Sequence, residues 1–190
     1  GSGTFLIEAA LIAYNIPANI FRNKFGFENW KDFDVELFEK IKDVSLNKEV
    51  DFNGTITGGD NFQKAIRTTR KNIENALMFE NIKVKNENFF ETSVQENSFV
   101  IFNPPYGERL GSERELRSLY ADLGTLIKTR FDGWKAAVFT GRHDLGKELG
   151  MRAILTNKFN NGSIDCRLFR FEVNKKYFVS MKPTKKTNQQ

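Results

Sequence analysis

The sequence predicts an α/β domain with three layers, built on a mainly parallel sheet that ends in a C-terminal antiparallel hairpin. Two observations predict this fold class. Short apolar segments typical of buried strands alternate with longer segments whose apolar residues recur at helical spacing. Near the end of the chain, residues 152–159 and 164–173 flank Asn160-Asn161-Gly162, a combination typical of a hairpin turn.

The elements follow one another in a regular order. Helices are predicted over residues 4–14, 33–43, 61–79 and 113–131, with a short helix over 143–149. Strands are predicted over residues 55–60, 82–84, 98–102 and 135–140. Residues 98–102 are apolar throughout, as expected of a central strand buried on both faces. Ligands of such sheets bind beyond the carboxyl ends of the strands, which selects three loops: residues 1–4, 58–62 and 103–111.

Composition excludes several classes of protein. The single cysteine, Cys166, rules out an internal disulfide, and with one histidine, His143, no metal site is predicted. No apolar run approaches the roughly 18 residues of a membrane span. We expect most of the 19 phenylalanines in the core. The chain lacks an initiator Met and a signal peptide, so we expect a fragment of a cytoplasmic protein.

Charge is distributed unevenly along the chain. Residues 1–110 carry 13 basic and 16 acidic side chains, a net charge of −3, whereas residues 111–190 carry 16 and 8, a net charge of +8. A basic half suggests a surface that faces a polyanion. The alternative is a solvated tail, because five of these lysines lie near the C-terminus: Lys175, Lys176, Lys182, Lys185 and Lys186.

The loop after the third strand carries the strongest chemical signal. It reads Asn103-Pro104-Pro105-Tyr106, and the two prolines stiffen its backbone directly after an apolar strand. The Asn103 amide oxygen and the Pro104 carbonyl can each accept a hydrogen from the exocyclic amine of a nucleobase, and the Tyr106 ring can stack on the base. Two acceptors around such a nitrogen draw its lone pair out of conjugation and aim it at an electrophile. The alternative is a proline-stiffened turn without a catalytic role.

Two further segments suit a bound ligand. Gly1-Ser2-Gly3-Thr4 enters a helix, where backbone N–H groups at a helix N-terminus suit a carboxylate or phosphate. The strand 55–60 ends in Gly58-Gly59-Asp60, which places a carboxylate at its carboxyl end.

Together, NPPYGERLG and GSGTFLIEAA closely resemble the bacterial large-subunit (23S) rRNA guanine-N2 methyltransferases, the RlmL-like family whose members were often labelled adenine-specific DNA methylases. GGDNFQKAIRTTRKN, ELRSLYADLGTLIK and NNGSIDC extend the resemblance over nearly the whole chain. It implies a Rossmann-like fold, S-adenosylmethionine as methyl donor, ribosomal RNA as partner, and an RNA-binding THUMP domain ahead of the catalytic domain. On this basis residues 1–181 are predicted to form an incomplete methyltransferase domain, and residues 182–190 a polar basic tail.

The resemblance also assigns roles to individual residues. Asn103, Pro104, Pro105 and Tyr106 match the catalytic loop. On the cofactor side, Gly1 and Gly3 match the glycines near the methionine moiety, Asp60 the acid at the ribose hydroxyls, and Asn88 the position facing the adenine amine. The predicted cofactor-binding residues also include their neighbours Ser2, Thr4, Asn61 and Phe89. Asn88 is equally well explained as a solvent-facing loop residue.

The sequence departs from the family pattern in three places. The first strand and an Asp-Pro-x-Cys segment, which normally precede the glycine loop, are absent, and so is the THUMP domain. Phe62 stands where many relatives have a second acid, and it is a candidate to line the adenine pocket.

Three residues outside these motifs have alternative interpretations. His143 is a candidate base, but a helix-start position is favoured, and Cys166 is interpreted as a core thiol. Arg109, beside Glu108 in the catalytic loop, either contacts RNA phosphate or fixes the loop.

Three functions are compatible with these residues. The first is methylation of guanine N2 in large-subunit rRNA. The second is methylation of adenine N6 in DNA or RNA, because the same loop chemistry suits any conjugated exocyclic amine. The third is a non-catalytic RNA-binding fragment, suggested by the incomplete glycine loop and the basic second half.

Overall fold

The computed structural model of the protein describes residues 1–20, 22–91, 99–106 and 112–179, and the chain divides into two compact units, Gly1–Thr92 and Ser93–Gln190. The single domain over residues 1–181 stays a prediction, and the polar tail, residues 182–190, lies outside the described residues. Of the described helices, none is both long and apolar enough to cross a membrane.

The first unit contains a two-stranded parallel sheet. Its elements are α1 (Thr4–Ala13), α2 (Val35–Leu46), β1 (Ile56–Asp60), α3 (Gln63–Asn75) and β2 (Ile82–Asn86). Buried residues of α1 and α3 pack with the start of β2 in one apolar cluster, which contains Ala10, Leu11, Ile73, Met78 and Ile82. Ile56 of β1 packs against this cluster as well, so α1, α3 and both strands share one apolar core.

Helices α1 and α3 end in the same way. The residue after each C-cap, Asn15 in α1 and Leu77 in α3, has φ of 54°. In α3, the N–H of Met78 then donates to the carbonyl of Ile73 at 3.0 Å, closing the helix in a Schellman motif. The side chain of Met78 is buried and holds this turn against the core. Helix α3 therefore ends at Asn75, whereas its apolar pattern predicts a helix that continues to residue 79.

The second unit contains a four-stranded mixed sheet with the order β3-β4-β6-β5. Its elements are β3 (Phe99–Phe102), α4 (Glu113–Arg130), β4 (Lys135–Thr140), β5 (Leu155–Asn161) and β6 (Ile164–Glu172). Strand β3 runs parallel to β4, whereas β6 is antiparallel to both β4 and β5, as the predicted terminal hairpin requires. The predicted short helix over 143–149 is a 3₁₀ helix, His143–Leu149, and it packs against α4.

Two expectations about burial are wrong. Strand β3 pairs with β4 at one end of its sheet, and Phe99 is 59% exposed instead of buried on both faces. Among the described phenylalanines, the buried ones are Phe102, Phe131 and Phe171. Others contact one another edge-on or at a tilt in a partly exposed cluster at the start of α2 and before it, formed by Phe25, Phe27, Phe33 and Phe38. Ring-to-ring contact, rather than deep burial, therefore accommodates much of the high Phe content.

Candidate active site

The glycine loop at the start of α1 is shaped by Gly3. Gly3 is the N-cap of α1 with φ of 84°, in the left-handed region that favours glycine. A Cβ at this position would lie 2.7 Å from Cγ2 of Thr69, so a side chain cannot be accommodated without movement of α3. The loop therefore brings bare backbone to the positive end of the α1 dipole, an arrangement that suits a carboxylate.

Two side chains of α3 hold this loop in place, and neither was identified from the sequence. The Thr69 hydroxyl donates to the carbonyl of Gly1 at 2.9 Å, and the Asn72 amide donates to the carbonyl of Ser2 at 2.8 Å. The hydroxyls of Ser2 and Thr4 also lie 3.0 Å apart. The loop conformation is thus set by a helix that is more than 60 residues away along the chain.

Asp60 lies at the carboxyl end of β1, as predicted. One carboxylate oxygen accepts the N–H of Phe62 at 2.9 Å, and the other contacts the amino group of Gly1. The Asp60 carbonyl accepts from the Asn86 amide at 2.9 Å, tying the ends of β1 and β2 together. Asn61 follows as an exposed residue before α3. The structure therefore brings the predicted glycine loop and the predicted acid into contact.

Asn88 and Phe89 follow strand β2 in the first unit. Asn88 is exposed, and its amide oxygen accepts the N–H of Phe90 at 3.1 Å, which forms a local turn. Phe89 is half-buried, with its ring 6.3 Å from that of Phe90. Phe62 is 65% exposed at the start of α3, so its ring is accessible from solvent. The adenine-side roles of Asn88 and Phe89 stay predictions.

The catalytic loop begins in the second unit directly after β3. Asn103 is exposed, whereas Pro104, Pro105 and Tyr106 are half-buried. Glu108 and Arg109 lie outside the described residues. The described part of the loop therefore presents an accessible amide on a backbone that two prolines restrict.

Tyr106 is held in place by residues of β4 and β5. Its hydroxyl accepts a hydrogen bond from the Asn161 amide at 3.1 Å, and its ring packs edge-on against Phe139, with centroids 6.4 Å apart. A Cβ on Gly141 would lie 2.9 Å from Cδ2 of Tyr106, so the ring depends on glycine there. Burial raises the pKa of the Tyr106 hydroxyl, Asn161 opposes this rise, and nearby Cys166 adds to it.

Asn161 can contact Tyr106 because β5 extends to Asn161, two residues beyond the predicted end of this strand at residue 159. The turn consists of Gly162 and Ser163, with Gly162 at φ of 62°, and Asn161 pairs with Ile164 as the last residue of β5. Of the predicted turn Asn160-Asn161-Gly162, only Gly162 lies in the observed turn, and Asn160 and Asn161 belong to β5. Since side chains alternate along a strand, the register decides which asparagine faces Tyr106.

The turn after β4 carries a network of charges. The Arg142 guanidinium donates to both carboxylate oxygens of Glu113, at 2.9 and 2.7 Å, and to those of Asp144, at 2.9 and 2.8 Å. The hydrogen bonds from Arg142 lower the pKa of Asp144 to about 2 and also lower the pKa of Glu113. Arg117 joins the same network, with its guanidinium 2.6 Å from Glu148, 2.9 Å from Glu113 and 3.5 Å from Asp144. In this Gly-Arg-His-Asp segment the sequence pattern draws attention to His143, whereas the structure gives the charge contacts to Arg142.

His143 and Cys166 each lie in an environment that fits a structural role. A ring nitrogen of His143 lies 2.9 Å from the carbonyl of Asp165, and His143 is the first residue of the 3₁₀ helix, which fits the favoured helix-start interpretation. Cys166 is fully buried on β6, as a core thiol should be. Within the described part of the chain, no group of three or more His, Cys, Asp or Glu side chains could hold a metal ion.

The chain is similar to known proteins over most of its length. The model of the family described as UPF0020, RMKL-like, methyltransferase domain, matches residues 1–170. The ribosomal RNA large subunit methyltransferase K/L of Allochromatium vinosum is 39% identical over 191 residues, covering 96% of this chain and 26% of that protein. Its counterpart from Syntrophotalea carbinolica is 37% identical, covering 94% and 26%. The chain thus spans about a quarter of the length of these curated relatives.

Among solved structures, the crystal structure of SMU.472 complexed with SAH superposes with a TM-score of 0.78 at 29% identity. The superposition covers 96% of this chain and 47% of the SMU.472 chain. TrmN from Thermus thermophilus, at 20% identity and a TM-score of 0.52, shares the fold, covering 63% of this chain and 36% of its own. Fold and motifs together define a methyltransferase domain of the Rossmann-like class. Within that class, the chain belongs to the UPF0020 family of RMKL-like methyltransferase domains.

The surroundings of Tyr106 predict how its hydroxyl titrates. Subtracting the alkaline absorbance titration of Tyr106→Phe from that of the wild type should give a midpoint above the usual value of 10.0, because burial disfavours the phenolate. Asn161→Ala should move this midpoint further up, since the lost hydrogen bond stabilises the phenolate. Asn160→Ala is the matched control, because neighbouring side chains point to opposite faces of a strand. Near-UV circular dichroism verifies the fold at each pH, and a midpoint at or below 10 contradicts the structure.

Proposed function

We propose that this domain methylates the exocyclic N2 amine of a guanine in large-subunit ribosomal RNA, in the cytoplasm, with S-adenosylmethionine as methyl donor. The observation that carries the proposal is the loop Asn103–Tyr106, in which an exposed amide precedes two prolines and a tyrosine fixed by Asn161. Membership of a methyltransferase family and the similarity to K/L enzymes named for large-subunit rRNA support it.

The residues of the first unit fit the proposed donor. The side-chain-free approach at Gly3 leaves room for the carboxylate of a methionine moiety at the α1 N-terminus. Asp60 offers carboxylate oxygens, the acceptors that a ribose diol needs, at the carboxyl end of β1. Ser2, Thr4 and Asn61 supply further polar groups around these two positions.

In the second unit, the protein contributes orientation. The Asn103 amide oxygen and the Pro104 carbonyl accept hydrogens from the target amine, and the Tyr106 ring lies against the base. When bound, S-adenosylmethionine would supply an electrophilic methyl group and would leave as S-adenosylhomocysteine, its sulfur keeping the electron pair of the broken carbon–sulfur bond. The amine nitrogen would then release its extra proton to water. No strong base is required, because alkylation makes that proton acidic, in keeping with the attachment of His143 to Asp165. The target base has to leave its stack to reach the loop.

Basic residues of the second unit support an RNA substrate. Exposed cations on and beside the β5–β6 hairpin include Arg152, Lys158 and Arg170. Together with the net charge of +8 over residues 111–190, they favour a polyanion.

The modified nucleoside tests the proposal directly. Unmodified large-subunit rRNA is incubated with the protein and isotopically labelled S-adenosylmethionine, then digested and analysed by mass spectrometry. We expect labelled N2-methylguanosine. Labelled N6-methyladenosine would replace guanine with adenine as target. Absence of label, together with absence of donor binding by calorimetry and salt-sensitive RNA binding, would establish a non-catalytic RNA-binding fragment.

Asp60→Ala should weaken donor binding. Hydrogen bonds to a charged acceptor contribute about 1.5–3 kcal/mol, so we expect the dissociation constant measured by calorimetry to rise roughly 10- to 150-fold. Asp51→Ala, which removes an acid from the exposed segment before β1, is the control and should bind as the wild type does. An unchanged constant for Asp60→Ala contradicts the ribose assignment.

Asn103→Ala, in contrast to Asp60→Ala, should reduce turnover without weakening donor binding. Loss of one preorganised acceptor should reduce turnover by about 10²–10³-fold, while donor affinity stays within twofold of the wild type. Asn75→Ala, at an exposed asparagine of α3, controls for a general effect of removing an amide. A collapse of donor affinity with normal turnover per bound complex would show that the role assigned to Asn103 is wrong.

A further inference from the structure

The catalytic loop is attached to the rest of the second unit on both sides. On its first side, Tyr106 is held by the Asn161 amide and by the ring of Phe139. On its second side, the chain enters α4 through a capping box in which the Ser112 hydroxyl accepts the N–H of Glu115. The next residue, Glu113, receives the Arg142 guanidinium on both oxygens.

Both attachments meet at consecutive residues after β4. Gly141 leaves the space that the Tyr106 ring fills, since a Cβ there would lie 2.9 Å from Cδ2 of the ring and 2.8 Å from Cγ2 of Ile164. Arg142 follows at once and binds Glu113. A single turn therefore contacts the loop before and after the segment that lies outside the described residues.

This turn is itself rigidly supported. The Thr140 hydroxyl accepts the N–H of Arg142 at 2.9 Å and lies 2.6 Å from the hydroxyl of Tyr120. Thr140 and Tyr120 are fully buried. Asp144 binds the guanidinium from the opposite side, and this leaves the Arg142 side chain little freedom to turn away from Glu113. The buried Tyr120–Thr140 hydrogen bond thus fixes the turn that carries Arg142, and Arg142 in turn binds Glu113 at the beginning of α4.

We propose that Arg142 is a positioning residue for methyl transfer, which holds the α4 end of the catalytic loop so that Asn103 and Tyr106 meet the target base in a reactive geometry. The inference rests on the proposed function of that loop. Arg142 contacts no reacting atom and acts through Glu113. The Arg142 side chain is 27% exposed and that of Glu113 is 53% exposed, and such pairs contribute little to the free energy of unfolding. Its contribution should therefore appear in turnover rather than in stability.

The test compares Arg142→Gln, Arg142→Lys, Glu113→Gln and the double variant Arg142→Gln/Glu113→Gln in the full chain. We expect kcat of both Gln single variants to fall roughly 10- to 100-fold with donor dissociation constants within twofold of the wild type, as displacement of a reactive group does. Both single variants lose the Arg142–Glu113 contact, so the losses in the double variant should be less than additive. They should not coincide fully, because Arg142→Gln also removes the Asp144 contact and Glu113→Gln also removes the Arg117 contact. Arg142→Lys should recover part of kcat through a single ion pair.

Glu148→Gln is the matched control. It removes a comparably close contact, to Arg117, a residue that also binds Glu113, and it leaves the Arg142–Glu113 contact itself intact. We expect kcat of this variant to stay near that of the wild type. A similar loss of kcat in Glu148→Gln, or additive losses in the double variant, would assign the effect to the general stability of α4 and overturn the proposal.

Amide hydrogen exchange separates this proposal from the proposed function. Arg142→Gln should speed exchange at Tyr106 and in the first turn of α4, whereas exchange in β4 should stay at the wild-type rate. Unchanged exchange at these positions, or wild-type kcat in Arg142→Gln, overturns the positioning role even if the protein methylates RNA normally. If exchange accelerates but the wild-type protein methylates no nucleic acid, the proposed function fails, and the role in methyl transfer fails with it.

Discussion

The hydrogen bond between the Tyr120 and Thr140 hydroxyls is the constraint on which the second unit depends. It joins the middle of α4 to the end of β4 at a position where both side chains are fully buried. An unpaired hydroxyl there would be costly, so the two elements are held in one relative position. The turn Gly141–Arg142 follows directly, and the catalytic loop contacts this turn through Tyr106 and Glu113. A buried polar pair thus determines the geometry of an exposed loop.

The first unit uses a similar principle at its glycine loop. Gly3 brings the backbone close to α3, and Thr69 and Asn72 donate hydrogen bonds to the carbonyls of the preceding residues. In both units a segment with little structure of its own is fixed by side chains from an adjacent helix or strand. Rigid supports of this kind suit a reaction that depends on the orientation of two substrates more than on proton transfer.

The charged groups near the catalytic loop fit this interpretation. Arg142, Glu113 and Asp144 form ion pairs with one another, and burial raises the pKa of the Tyr106 hydroxyl. His143 is tied to the backbone of Asp165. The residues closest to the loop therefore stabilise its shape, and the amide and carbonyl oxygens of Asn103 and Pro104 are left as the groups proposed to act on the substrate amine.

The sequence by itself determined the alternation of elements, the carboxyl ends of the strands and the motifs that define the family. These features are local: apolar periodicity, proline stiffness, and a glycine or an acid at a strand end are properties of a few consecutive residues. The tertiary structure alone decided that Asn161 rather than its neighbour contacts Tyr106, 55 residues earlier, and that Arg142 contacts Glu113, 29 residues earlier. Such contacts depend on strand register and on helix position, which are set by pairing and packing between segments far apart in the sequence. The chemical groups of the proposed site can thus be identified from the sequence, whereas the contacts that hold them in place are set by packing between distant segments.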